Sequence, residues 1–219
     1  MSDQRREIFS RLYHALHKSK SEADATTTTI KQHLAICKRG VVPAYSENIL
    51  HRFISKNEKV AATVKCIKNI SELSAAVYKY MADNHITPNL VAAPSEILKQ
   101  VNWQKEINIE YRQAQDNDLT TLTMAYAGIA ETGSLVLCSS KDSPTTLNFL
   151  PDNNICVIHQ DDIYPYMEDA WDLLRKEGKG MPRAINFITG PSRTADVEQT
   201  IQLGAHGPRR LHIIIIEDQ

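Results

Sequence analysis

Apolar residues recur along this chain at two periods, and those periods mark out its elements. Ile8, Phe9, Leu12, Tyr13 and Leu16 fall at helical spacing and predict an amphipathic first helix. Ser21 and the run Thr26 to Thr29 follow, where β-branched side chains disfavour a continuous helix. After Pro43, helices alternate with short apolar strands. Ile49, Leu50, Phe53 and Ile54 predict a helix, Val60, Ala62, Val64 and Cys66 a strand, and Leu73, Ala76, Val77, Tyr80 and Met81 another helix. Further strands are read at Leu90 to Ala93, at Ile107 and Ile109, and at Leu135 to Cys138. Ile155 to Ile158, Ala184 to Ile188 and Leu211 to Ile216 complete the set. Ile163, Met167, Ala170, Trp171 and Leu174 trace one face of a helix between the Ile155 and Ala184 strands. Unbroken apolar runs flanked by helices mark parallel strands covered on both faces. The expected fold is α/β, a mainly parallel sheet of about seven strands flanked by helices.

Composition narrows the class. The chain has 219 residues, 42% of them hydrophobic, so a single core can form, with one small appendage at most. With 25 Lys+Arg and 26 Asp+Glu the net charge is −1, which argues against binding nucleic acid by bulk electrostatics. Uninterrupted apolar runs stop at four residues, whereas a membrane span needs about 20. No secretory signal is read either, and the expected location is the cytoplasm. Cys37, Cys66, Cys138 and Cys156 lie far apart without a C-x-x-C pair, so no redox cluster and no metal site are expected in this chain.

Residues 1–40 form a net positive arm, carrying Arg5, Arg6, Arg11, Lys18, Lys20, Lys31, Lys38 and Arg39 against four acids. It reads either as a docking segment for a partner or as a peripheral helix packed on its own domain. The polar stretch Gln113 to Asp118 is a weak linker candidate. Asp161, Asp162, Glu168, Asp169 and Asp172 read as a solvated face.

Ligands of open α/β sheets gather outside the carboxyl ends of strands, and three segments qualify. The first is Gly128-Ile-Ala-Glu-Thr-Gly133-Ser, where Glu131 is the only acid among Ala127, Ile129 and Ala130. Such surroundings disfavour an ionised carboxylate and suit a base or nucleophile; the alternative is a turn whose Glu caps backbone amides. The second is Ile188-Thr-Gly190-Pro-Ser192-Arg193-Thr194-Ala-Asp196-Val-Glu198. Ser192 and Thr194 offer hydroxyls where a helix would begin and bind an anion, and Arg193 adds a two-pronged contact. Asp196 and Glu198 oppose a highly charged ligand and favour a monocarboxylate, unless Arg193 is simply paired with Asp196. The third is Gly204-Ala-His206-Gly207-Pro208, a histidine between two glycines that can point into a cleft.

Ala130-Glu-Thr-Gly-Ser134, Ile188 to Glu198 and Gly204 to Pro208, in that order and each beside an apolar strand, resemble the LUD domain of the lactate utilisation protein C family. The likeness takes in Leu150-Pro151 and covers roughly residues 45–219. It implies a fold similar to the NagB/RpiA/CoA-transferase group, and a cytoplasmic role in oxidising L-lactate to pyruvate beside cysteine-rich iron–sulfur companion proteins. It makes Glu131 and His206 the candidate catalytic residues. Thr132, Gly133, Ser192, Arg193, Thr194, Asp196 and Gly207 become candidate ligand-binding residues.

Three functions follow as expectations. One is a component of a lactate-oxidising assembly whose cleft holds a small carboxylate, with Arg193 as anion contact, His206 as proton carrier and iron–sulfur clusters in partner chains. Another is a free-standing CoA-transferase- or isomerase-like enzyme using Glu131 as nucleophile or base. The last is a non-catalytic carboxylate binder that docks through its arm.

Overall fold

In the computed structural model, which describes residues 3–16, 20–36, 39–194, 202–204 and 206–217, the chain divides into two units, Met1–Val42 and Pro43–Gln219. The first unit holds helices α1 (Asp3–Ala15) and α2 (Lys20–Ile36). The break expected at the threonines is absent, because α2 runs through them. A threonine hydroxyl can be satisfied one turn back without leaving the helix, as Thr29 Oγ1 is by donating to the Ala25 carbonyl at 3.1 Å. Ile8, Phe9, Leu12 and Tyr13 of α1 and Leu16 just after it are exposed.

The second unit begins with α3 (Ile49–Lys59), β1 (Thr63–Ile67), α4 (Leu73–Asp83), β2 (Asn89–Ala92), α5 (Glu96–Lys99) and β3 (Asn108–Tyr111). It continues through β4 (Thr120–Met124), β5 (Ala127–Ile129), β6 (Ser134–Cys138), α6 (Thr146–Phe149) and β7 (Asn153–His159). Then come β8 (Ile163–Tyr164), α7 (Met167–Glu177), β9 (Ile185–Ile188), β10 (Arg193–Thr194), β11 (Gln202–Leu203) and β12 (Arg210–Ile216). Six strands form an all-parallel sheet in the order β1-β12-β7-β4-β2-β3. A four-stranded sheet, β8-β5-β6-β9, packs beside it, and β10–β11 is a short antiparallel ribbon.

Strand parity builds the layers. Along β12, Ile214 and Ile216 turn toward Leu73, Val77 and Met81 of α4. Leu211, Ile213 and Ile215 turn the other way, toward Phe53 of α3 and Leu135 and Leu137 of β6. The far face of the four-stranded sheet, with Ala127, Ile129 and Val136, packs on Ala170 of α7. Each fully buried aliphatic side chain contributes about 1.5–3 kcal/mol. The order of layers is therefore α4, parallel sheet, α3 with the second sheet, and α7.

Three expectations need correction. Leu135–Cys138 and Ala184–Ile188 do not join the parallel sheet, since β6 pairs antiparallel with both β5 and β9. Their apolar runs are unbroken because the second sheet is itself covered on both faces, a condition that sequence cannot tell from a parallel strand. A central strand, β4, went unread: it is threonine-rich, and Thr120, Thr121 and Thr123 are buried. The helix expected from Ile163 begins only at Met167, after Ile163 and Tyr164 pair as a strand with β5 and Pro165 interrupts the chain.

Gln113 to Asp118 is a tight loop. The Arg112 guanidinium grips both Asp118 oxygens at 2.6 and 2.9 Å and holds that carboxyl below its usual range. The start of the second unit is pinned by Tyr45. Its hydroxyl donates to the Pro165 carbonyl at 2.6 Å, its ring lies 5.4 Å from that of Tyr166, and the Arg52 guanidinium sits 4.1 Å from its centroid. Among the described residues no helix is long and apolar enough to cross a membrane.

Candidate functional site

The turn that leaves β9 starts the site. Gly190 sits at φ +76°, and a Cβ there would fall 2.6 Å from Val60 Cγ2 and 2.9 Å from the Val60 carbonyl oxygen, so the close approach to α3's end requires glycine. The chain then passes Pro191 and reaches Ser192, which fastens two loops together. The Ser192 amide donates to the Pro208 carbonyl at 2.8 Å, and its own carbonyl accepts from the Gly204 amide at 3.0 Å. Its Oγ accepts from the His206 amide at 3.3 Å.

These contacts border an open cavity of about 280 Å³. Thr189 to Arg193 form one wall and His206 to Pro208 another, with Phe187, Ile188, Asn148, Phe149, Asn154 and Leu211 completing it. The floor is polar and fixed. Asn154 is buried, and its Nδ2 donates to Thr121 Oγ1, Thr123 Oγ1 and the Leu147 carbonyl at 3.0–3.3 Å. Above it, Arg193 is exposed and enters no ion pair among the described residues. The cavity thus joins a serine hydroxyl, an imidazole and a guanidinium above a floor held by Asn154, groups suited to one carboxylate and a neighbouring hydroxyl.

Its position differs from the expected one. Asn154 is the second residue of β7 and Leu211 the second of β12, so the cavity lies at the amino ends of the parallel strands. The carboxyl end it does border is that of β9, which belongs to the other sheet. Nor does a helix begin at Ser192 to Thr194: the backbone enters the β10–β11 ribbon, pairing Arg193 with Leu203 and Thr194 with Gln202. Amides engaged in a ribbon do not offer the free N–H cluster of a helix terminus. Asp196 and Glu198 lie outside the described residues.

The second and third segments meet at this cavity, bringing Ser192, Arg193, His206 and Gly207 together. The first segment stands apart. Gly133 (φ +74°) turns the β5–β6 hairpin against α3, where a Cβ would meet Lys56 Cβ at 2.6 Å. Glu131 faces α7: its Oε2 accepts from the Met167 amide at 3.4 Å, and its own amide donates to the Pro165 carbonyl at 3.0 Å. A carboxylate at that place complements the positive end of the helix. One thread ties this segment to the cavity, a hydroxyl chain from Thr132 Oγ1 to Ser134 Oγ at 2.7 Å and on to Thr189 Oγ1 at 2.6 Å.

Sequence reasoning missed Asn148, Asn154 and Thr189. A signal existed, since an asparagine directly preceding the apolar run Ile155 to Ile158 becomes a buried amide that must find partners.

Comparison with known proteins places these features in context. The profile described as "LUD domain" matches residues 50–216. "Lactate utilization protein C" of Bacillus subtilis is 33% identical over 129 residues, 58% of this chain and 54% of that protein. The protein of the same name from Bacillus licheniformis is 32% identical over the same shares. An uncharacterized protein of Neisseria meningitidis is 32% identical over 161 residues, 71% of this chain and 64% of its own length. The chain spans about half the length of the first curated relatives it matches. Among solved structures, a DUF162 family protein from Deinococcus radiodurans superposes with a TM-score of 0.61 at 23% identity, over 80% of this chain and 99% of that one. It shares the fold.

Proposed function

The chain belongs to the LUD domain family, and from that premise we propose that it serves L-lactate utilisation, as a component of the oxidation of lactate to pyruvate. The names carried by its relatives support the pathway. The observation that carries the site is the Ser192 junction, which sets Arg193 and His206 on one small cavity above a fixed asparagine.

In this reading a small carboxylate lies in the cavity with Arg193 as its charge partner. Oxidising its hydroxyl-bearing carbon to a ketone removes two electrons and two protons. The His206 imidazole would receive the hydroxyl proton, the proton from the carbon would leave to solvent, and iron–sulfur clusters held by partner chains would serve as the acceptor of the two electrons. Glu131 takes the positioning role of a helix cap, and Thr132 supports the wall through Ser134 and Thr189.

The test has two parts. Native complexes captured from lactate-grown cells should contain iron in the co-purifying chains, and deleting this chain should abolish growth on lactate. Arg193→Ala should weaken L-lactate binding to the purified protein by about tenfold, the scale of one charge-assisted contact. Unchanged binding would remove the anion role, and growth without the chain would remove the pathway.

A further inference from the structure

A second and larger cavity lies across α6 from the first. Thr146, at the start of that helix, lines one, while Asn148 and Phe149, at its end, line the other. Its volume is about 810 Å³, within the range of sites that take nucleotide-sized ligands. Its wall is the loop after β6, Ser139 to Thr146, facing Arg183 and Ala184 ahead of β9, with Gln113 closing one side.

The loop is held in shape. The Ser139 amide donates to the Ala184 carbonyl, and Ser139 Oγ accepts from the Ala184 amide, both at 2.9 Å. The Ser140 amide donates to the Ser143 carbonyl at 3.2 Å, and Ser140 Oγ accepts from the Asp142 amide at 3.1 Å. Two cations border the space, Lys141 and Arg183, and neither enters an ion pair among the described residues. The loop's one acid, Asp142, is not among the lining residues. Thr145 and Thr146 add hydroxyls, and Thr146 Oγ1 is buried without a hydrogen-bond partner in the protein.

Unneutralised cations beside hydroxyl donors suit an anion of more than one charge. The volume exceeds what a bare oxyanion fills, and Pro144 and Ala184 offer apolar surface to the rest of the molecule. We propose that this cavity binds a phosphorylated small molecule of nucleotide size, its phosphates between Lys141 and Arg183. The site is separate from the carboxylate cavity and does not depend on the reading given for it.

Titration calorimetry on the full chain tests this, with ADP and pyrophosphate as probes and adenosine as the uncharged comparison. ADP and pyrophosphate should each saturate one site per chain, and adenosine should not. The double variant Lys141→Ala/Arg183→Ala, folded by circular dichroism, should bind both at least about tenfold more weakly. Lys141→Arg should retain binding, and Lys105→Ala, a cation outside the cavity, should leave it unchanged. Raising salt from about 50 to about 300 mM should weaken the interaction. No saturable binding at millimolar probe overturns the proposal, as does binding that the double variant leaves intact.

Discussion

His212 shows how far burial can move one residue. It sits on β12 with its ring stacked on Tyr80 at 3.9 Å and 5°, and its Nδ1 lies 2.7 Å from Thr63 Oγ1. Burial pushes the imidazole down to about 4, against 6.5 for an ordinary histidine, despite the opposing bond to Thr63. The folded protein therefore binds fewer protons than the unfolded chain between those values, and stability rises with pH across that window. The contribution is complete above pH 6.5 and is lost as pH falls toward 4. Its size is about 3 kcal/mol. Urea midpoints measured from pH 7 to pH 4.5 should fall more steeply for the native chain than for His212→Phe. Parallel slopes would contradict the buried neutral imidazole. Thiol reactivity follows the same logic, since burial raises the Cys156 thiol to about 12 and leaves it a packing group.

At the scale of elements, the join between β4 and β7 carries the polar part of the core. Thr121 aligns with Asn154 in register, and the Asn154 amide serves two threonine hydroxyls and a carbonyl at once. Asn154→Ala should cost about 2–4 kcal/mol, because it strands buried acceptors and opens a void, and a denaturant titration measures it directly. The same join explains what could be read from residues alone. β7 and β12 were legible because isoleucines fill them, and α3 and α4 because their apolar spacing is helical. β4 was hidden, since its threonines look polar until the asparagines that satisfy them are known. β6 looked parallel because coverage on both faces erases the alternation that usually marks an antiparallel strand. For the site, the glycine turn at Gly190 and the loop around His206 announced themselves. Asn148, Thr189 and the direction of Glu131 did not, because each depends on an element distant in sequence.

For the whole molecule, the division at Val42 separates two kinds of surface. The unit from Pro43 has its own layered core, while the apolar residues of α1 stay exposed. Removing residues 1–42 should leave the melting temperature of the remainder within about 3 °C, since little of that core is lost. Association with any partner that covers α1 should vanish in the same truncation, as read by gel filtration of co-expressed chains. A large fall in melting temperature would instead show that the helices complete the core.

The Tyr45 contacts have a mechanical meaning. Within the second unit one phenol, seated between a guanidinium and a second aromatic ring, bolts the segment ahead of α3 to the carbonyl just ahead of α7. A pull on residue 43 therefore loads that lug first, ahead of α3 and the parallel ladder that follows it.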